Sequence, residues 1–283
     1  MKHKFNGASV LDQDLTHWNT GNVTSYTDMF SGATQMINNQ SAPVTPTSAY
    51  FNHFLTFSFT GVASVTLPIS STGSLNVYIY WGDGSNQINY TSGTISKTYS
   101  SSGNYDVTIW GDATTFGSGS TAWTGADKLT TASTPDETTW NLTGLVSVSG
   151  MFNGASILTS VPSQSPSLTD LSNTFRGATI FNQNISSWTT SSVTDMNNMF
   201  NGARAFTADI SGWTTSSVTD MSGMFNGAEL FDADISGWTT SSVTDMNNMF
   251  NGASVFTGDI SSWDTSSVTD MNNMFNGASA FTG

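Results

Sequence analysis

The sequence repeats itself every 25 residues, and this constrains the fold more than any other feature. Two aromatic residues mark each unit and recur at that spacing: Trp188, Trp213, Trp238 and Trp263, then Phe200, Phe225, Phe250 and Phe275. The block Ser-Ser-Val-Thr-Asp-Met recurs with them, at 191–196, 216–221, 241–246 and 266–271. A fixed period of this length is typical of repeat architectures, in which stacked units bury a shared core.

The first half of each unit has helical spacing. Five apolar residues fall at i, i+3, i+6, i+7 and i+10, which is one face of a short helix: Val193, Met196, Met199, Phe200 and Ala203. Ser192 is placed to cap the helix start, with Asp195 at its third position, and Gly202 is placed to end it. The unit is therefore expected to contain one short helix.

The second half of the unit, Phe206 to Trp213, has the alternation of a strand. Ile210 would point into the core, while Asp209 and Ser211 would point outward. A strand plus a short helix in each repeat predicts an α/β solenoid of leucine-rich type, because no single unit can bury its apolar face alone.

These repeats resemble the BspA-like leucine-rich-repeat surface proteins. The motif of that family, Trp-x-x-Ser-x-Val-x-x-Met-x-x-Met-Phe, is matched by residues 188–200. Looser copies extend the resemblance to residues 1–36 and 145–283, since Phe5-Asn6-Gly7-Ala8-Ser9 is identical to residues 275–279. The resemblance implies a surface-exposed binding or adhesion protein.

An insertion of different composition separates the first repeat from the others. Strand-like alternation is predicted at 54–59, 75–80 and 105–110, and Asp83-Gly84 is a hairpin-turn signal. The run Trp81-Gly82-Asp83-Gly84-Ser85 resembles PKD-type domains, which implies an immunoglobulin-like β-sandwich. The expected division is a repeat at 1–36, a sandwich at 37–117 with its core at about 50–117, a linker or irregular cap at 118–144, and repeats at 145–283.

The charge of the chain limits the kind of partner. Twenty acidic residues against six Lys and Arg give a net charge of −14, which disfavours nucleic acid and anionic membrane surfaces. Cations and neutral sugars are compatible with this charge. No cysteine is present, and no secretion signal or anchor is visible. An extracellular or virion-surface location would then require another export route, a processed chain or a fragment.

Catalytic motifs are not visible in the sequence. His3, His17 and His53 are the only histidines, and all lie outside the regular repeats. No nucleophile elbow, phosphate-binding loop or zinc-protease motif occurs. The expectation is a protein that is not an enzyme and needs no cofactor.

The repeated aspartates are the candidate ligand or cation face. One set, with its neighbouring serines, would form an outward row: Asp209, Ser211, Asp234, Ser236, Asp259 and Ser261. An ordinary solvated surface is the first explanation for them, and Ca²⁺ or ligand binding is the alternative, because oxygen-rich groups of this kind suit Ca²⁺. A second set, Asp195, Asp220, Asp245 and Asp270, is assigned to helix starts. The Trp ladder is expected in the core, with an exposed sugar-stacking stripe as the alternative.

The two ends of the repeat series suggest a second function. The residues that would stack head-to-tail between copies are Phe5, Asp14, Leu15, Trp18, Phe275 and Phe281. Such a contact would build a filament, fibre, ring or capsid decoration. The other explanation for a repeat series that stops within a repeat is a truncated gene product or a fragment. The leading expectation is a surface-exposed binding protein for a host-surface protein or glycan, and self-assembly is the alternative.

Overall fold

The computed structural model describes residues 4–11, 15, 25–35, 54–70, 75–85, 88–134, 140 and 142–282. Their buried apolar side chains form two cores. One is continuous from Leu55 to the last coil of the repeats. The other is small and belongs to the N-terminal unit, where Met29 and Phe30 are fully buried. No helix among the described residues has the length and hydropathy that a membrane span needs.

The insertion forms a largely antiparallel sheet. Its strands are β1 (Leu55–Leu67), β2 (Ile69–Ser70), β3 (Asn76–Tyr80), β4 (Ile88–Tyr90), β5 (Ile95–Asp112), β6 (Thr115–Phe116), β7 (Leu129–Ser133) and β8 (Leu142–Thr143). The main sheet has the order β4-β3-β5-β1-β7, and β8 pairs with β5 in parallel. β2 and β6 form a separate two-stranded ladder. The predicted strands at 54–59, 75–80 and 105–110 are confirmed as parts of β1, β3 and β5.

Alternating burial explains why these segments are strands. Leu55, Phe57 and Phe59 of β1 are buried, and the residues between them are partly exposed. β1 pairs with β5 along most of its length, from Leu55 opposite Ile109 to Leu67 opposite Ile95. The period of two therefore places one face of the sheet against the core.

Residues 113–134 connect the sheet to the repeats by backbone hydrogen bonds. Thr115 forms a parallel bridge with Ser147, and Thr131 of β7 forms one with Ser160. β7 also pairs with β1, so the stretch predicted as a linker or irregular cap contributes a strand to the sheet. Phe57 and Phe152, with ring centroids 5.9 Å apart, continue the core across this junction.

Residues 142–282, which we call the repeat array, stack as successive coils. Each coil forms one isolated parallel bridge with the next, and the bridges run through one aspartate position: Asp170, Asp195, Asp220, Asp245 and Asp270. Further bonds follow the same direction, such as Phe200 N–H to the carbonyl of Met224 at 2.9 Å and Gly202 N–H to that of Asn226 at 2.7 Å. Backbone pairing between coils therefore holds the array together.

The predicted short helix is wrong, because residues 142–282, all of them described, contain turns and no helix. In the predicted segment, alternate N–H groups bond to the next coil, including Met196 to Asp220 at 3.0 Å. The intervening groups close turns three residues back, as Met199 does to Met196 at 3.2 Å. Half of the donors that a helix would need are therefore used between coils.

Left-handed backbone is the local feature that interrupts helical winding. Asn198 has φ of 51° and Gly202 has φ of 73°, and the next coil repeats both with Gly223 and Gly227. Glycine and asparagine are the residues that accept this conformation at least cost. The Asn-Met-Phe-Asn-Gly part of the repeat thus specifies two left-handed positions, four residues apart.

The interior of the array consists of aromatic columns. Phe200 and Phe225 stack with centroids 5.7 Å apart and an interplanar angle of 1°. A second column runs beside it, and Phe225 lies 3.7 Å from Phe231 of that column. The residues predicted to point inward, including Val193, Met196 and Ile210, are fully buried. The period of the repeat therefore identified the core face correctly, although it assigned the wrong local structure.

The N-terminal unit stacks as the array does. Phe5 N–H donates to the carbonyl of Met29 at 3.0 Å, and Gly7 N–H donates to that of Ser31 at 2.7 Å. The same pair of bonds joins Phe250 to Met274 and Gly252 to Asn276 in the array, at 2.9 and 2.8 Å. Residues 4–11 and 25–35 are therefore two coils in the array's own register.

Candidate binding surface

The outward aspartates, Asp209, Asp234 and Asp259, form one exposed row with a defined local geometry. Each Oδ1 accepts the backbone N–H of the serine two residues later at 2.9 Å, so each caps a tight turn. These backbone hydrogen bonds, followed by those from the serine hydroxyls, hold the pKa of each carboxyl below its ordinary value. The three carboxylates are therefore ionised, exposed and fixed in orientation.

The strand predicted for Phe206 to Trp213, which would have carried this row, is wrong. Asp209 and Ser211 are exposed and Ile210 is buried, as predicted, but the segment is not a strand, and a turn begins at Ser211. The inter-coil bridges run through Asp195 and its equivalents, which were assigned to helix starts. Neither aspartate set therefore has the role predicted for it, because a tight turn and a strand both produce alternating burial over three residues.

The bridge-forming aspartates are half-buried, and burial shifts the pKa of Asp195 among them. Burial raises the pKa of Asp195, hydrogen bonds from Asn197 lower it, and the charges of Asp170 and Asp220 raise it further, for a net increase. Asp195 Oδ1 accepts the Asn197 backbone N–H at 2.9 Å and the Asn197 amide at 2.6 Å. The Asp195 carboxylate therefore accepts a hydrogen bond from the backbone of its own coil.

The arrangement of acidic groups bears on cation binding. In the part of the chain that the structure describes, no three His, Cys, Asp or Glu residues come together as a metal-binding group. Asp209, Asp234 and Asp259 contribute one carboxylate per coil. The Ca²⁺ site considered for them stays a prediction, and His3, His17 and His53 lie outside the described residues.

The Trp ladder belongs to the core, as expected. Trp213 and Trp238 are 4% and 3% exposed. Each indole N–H donates to a backbone carbonyl one coil back: Trp213 to Ile185 at 3.3 Å and Trp238 to Ile210 at 3.2 Å. With ring faces packed and donors satisfied, these tryptophans are structural, and an exposed sugar-stacking stripe at this position is ruled out.

The residues proposed for head-to-tail contact fall into two groups. Phe5 and Leu15 pack on the N-terminal core, while Asp14 and Trp18 lie outside the described residues. Phe275 and Phe281 are partly buried and stack on each other with centroids 4.2 Å apart. In the same coil Met271 is 41% exposed, whereas its equivalent Met246 is fully buried.

Sequence reasoning missed an exposed aliphatic ridge. One position of the repeat, directly before a residue that packs in or against the core, is apolar in each coil from residue 157 onward: Ile157, Ile180, Ala205, Leu230, Val255 and Ala280. The four large side chains are 37%, 51%, 52% and 39% exposed, in the order Ile157, Ile180, Leu230 and Val255. The signal was present in the sequence, as an apolar column beside an inward-pointing one.

A comparison with protein-family models identifies the repeats. The model described as "Mycoplasma protein of unknown function, DUF285" matches residues 1–60, 122–214, 163–240 and 206–283. The chain belongs to the DUF285 family. The matches leave out residues 61–121, which include most of the sheet. Searches of curated proteins and of solved structures found no match.

Proposed function

We propose that this DUF285 protein is a non-enzymatic, surface-exposed binding or adhesion protein. The observation that carries the proposal is the row of Asp209, Asp234 and Asp259, because its ionised carboxylates occupy equivalent turns on successive coils. A row of equivalent sites on a stacked scaffold is suited to multivalent contact. The partner that fits it best is a cationic protein surface, with a host glycan as the alternative.

The proposed fold supports this function. We interpret the repeat array as a leucine-rich-type solenoid of the BspA-like kind, because its coils stack with one bridge each. The sheet is interpreted as a PKD-type, immunoglobulin-like module, because its Trp81 is buried and accepts a 3.0 Å hydrogen bond from Tyr99 at its carbonyl. Solenoids present long, regular surfaces for recognition.

The test compares two pairs of aspartates on the same protein. D234N/D259N removes two charges from the row, and the matched control D232N/D264N removes two exposed charges elsewhere in the array. Binding is measured to immobilised polylysine and to a glycan array, at two salt concentrations. The proposal requires salt-sensitive polylysine binding that D234N/D259N weakens by more than the control does. Equal weakening by both pairs would refute the row as the site.

Head-to-tail self-assembly is the second candidate. It is favoured by the two coils of the N-terminal unit, which hydrogen-bond in the array's own register. In such a contact a coil of another copy would cover Met271, in the way that neighbouring coils bury the equivalent methionines. This would place the protein in a filament, fibre or virion.

Light scattering decides this second candidate. If this contact forms, the wild-type chain gives species larger than a dimer, and deletion of residues 1–36 and the substitution M271D each remove those larger species. A wild type that is no larger than either variant would rule out the head-to-tail contact. Glycan or polylysine binding by those smaller species would leave the binding function standing.

A further inference from the structure

We infer that the aliphatic ridge is a lateral interface through which two copies of this chain associate antiparallel, side by side. The ridge is the column Ile157, Ile180, Ala205, Leu230, Val255 and Ala280. Exposed apolar groups aligned along one edge are typical of an interaction surface. The argument for a second copy as the occupant is that the ridge is complementary to itself when it is reversed.

The first complementarity is one of size. A two-fold axis placed between the coils of Ala205 and Leu230 sets Ala205 of one copy against Leu230 of the other. The same axis sets Ile157 against Ala280, so that in both pairs a large side chain meets a small one. Ile180 then meets Val255, which are of similar size. Self-complementarity of this kind is what an isologous interface requires.

The second complementarity is one of charge. The residues directly before the ridge positions are Ser156, Thr179, Arg204, Glu229, Ser254 and Ser279. The only charged members, Arg204 and Glu229, lie on either side of the same axis, so each would face its opposite in the other copy. Within one copy Arg204 Nε lies 3.4 Å from Glu229 Oε1, and both side chains are more than half exposed. They are therefore available for a four-membered network across the axis.

The polar groups flanking the ridge are already satisfied within the copy. The hydroxyl of Thr179 donates to the carbonyl of Ser156 at 2.9 Å, and that of Ser254 donates to the carbonyl of Glu229 at 3.2 Å. Ser279 repeats this contact with Ser254 at 3.1 Å. Burying these groups in an interface therefore leaves few hydrogen-bond donors or acceptors without a partner, which lowers the desolvation cost of the contact.

The array is also straight enough for the two ridges to meet along their length. Successive rings of its main Phe column are inclined by only 7°, 1°, 13° and 6° from Phe175 to Phe275. Neighbouring coils therefore tilt little against each other, and the array does not bend sharply along the ridge. Because it is only one side chain wide, the expected association is weak and depends on concentration.

The first experiment measures mass over a dilution series by analytical ultracentrifugation. The wild type should approach twice the chain mass of 30.0 kDa. L230E should raise the dimer dissociation constant at least about tenfold, whereas T239E, which adds the same charge at an exposed position outside the ridge, should not. Circular dichroism checks that both variants fold. Dimers that L230E leaves as stable as the wild type would refute the ridge.

Charge exchange tests the axis itself. R204E and E229R should each weaken the dimer, because like charges then face each other. The double variant R204E/E229R should restore it, and an equimolar mixture of the two single variants should form heterodimers. Restoration is specific to an antiparallel arrangement centred between these coils, and its failure would exclude that arrangement.

Disulfide capture tests the orientation, since the chain has no cysteine of its own. Mixed I180C and V255C should give disulfide-linked dimers, because the two residues face each other across the axis. I180C alone should not, since its two copies would lie three coils apart, on the order of 14 Å at strand spacing, and a disulfide bridges at most about 7 Å between Cα atoms. Equal capture by I180C alone, or wild-type monomer at every concentration, would overturn the proposal.

Discussion

The sheet and the repeat array share one core but specify their backbone in different ways. In the sheet, β1 and β5 run antiparallel, and alternating side chains such as Phe57 and Val107 face inward. In the array, each coil forms a single bridge, and the chain turns at left-handed residues such as Asn198 and Gly202. The sheet therefore depends on the pattern of apolar residues, whereas the array depends also on residue type at particular turns.

The largest expected effect comes from breaking an aromatic column of the array. Phe225 stacks at 5.7 Å on the rings of both neighbouring coils, so F225A removes contacts in two directions. We expect the free energy of unfolding to fall by about 3–5 kcal/mol in chemical denaturation.

The sheet offers the matched control for this variant. F57A leaves a cavity in the core on the sheet side of the junction, where the ring centroids of Phe57 and Phe152 are 5.9 Å apart. Because the core is continuous, both variants should shift one shared unfolding transition, followed by tryptophan fluorescence and circular dichroism. Two separate transitions, each moved by one variant only, would contradict a common core.

Next in size is the left-handed turn, which has no counterpart in the strands. N198A places a Cβ-bearing residue without a compensating side-chain bond at φ of 51°, and should cost about 1–2 kcal/mol. N198G should cost less, because the equivalent Gly223 takes the same conformation in the next coil. Thermal denaturation of the two variants makes the comparison; a larger loss for N198G would show that the side-chain amide matters more than the backbone.

In the sheet the corresponding local device is an ion pair. Asp83 Oδ2 lies 2.5 Å from Lys97 Nζ. The side-chain hydrogen bond from Lys97, followed by the one from Ser85, lowers the pKa of Asp83 to about 2. A lowered folded pKa stabilises the fold above the ordinary carboxyl range, and this contribution is lost as the pH falls through about 2. K97M should therefore cost about 0.5–1 kcal/mol at neutral pH and progressively less in acid. A pH-independent loss would point to packing of the Lys97 stem instead.

The smallest expected effect has the opposite sign and belongs to the array. Because the folded pKa of Asp195 is raised, its charged form weakens the fold at neutral pH, and protonation relieves this as the pH falls. D195N should stabilise by a few tenths to about 1 kcal/mol at neutral pH, allowing for solvent screening, and the gain should disappear in acid. D209N, whose carboxyl has a lowered pKa, should give no such gain. Melting curves at several pH values distinguish the two positions.

Much of this molecule could be predicted from sequence, and the failures have one cause. The strands and the buried Trp ladder followed from residue spacing, and both are present. The spacing of Val193, Met196 and Met199 fits a helix, and it also fits turns closed three residues back. What separates these possibilities is whether Met196 N–H bonds within its coil or to Asp220, one repeat away. No local pattern contains that information.

The candidate surfaces show the same division. Asp195 and Asp209 are both periodic and polar, so spacing alone could not tell which one lies on the bridges between coils. The aliphatic ridge is visible in the sequence as a periodic apolar position, but only the fold shows that Leu230 is exposed while Phe231 beside it is buried. Adjacent apolar residues cannot be assigned to inside or outside until the turn is known.

The sequence by itself determined the period, the inward-facing residues and the places where left-handed backbone is tolerated, because these depend on side-chain chemistry and local sterics. The tertiary structure alone decided where the backbone hydrogen bonds go, which aspartate set lies between coils and which apolar column reaches solvent. Those features depend on the neighbouring coil. A single unit cannot bury its own apolar residues, so contacts with the coils on either side fix its conformation.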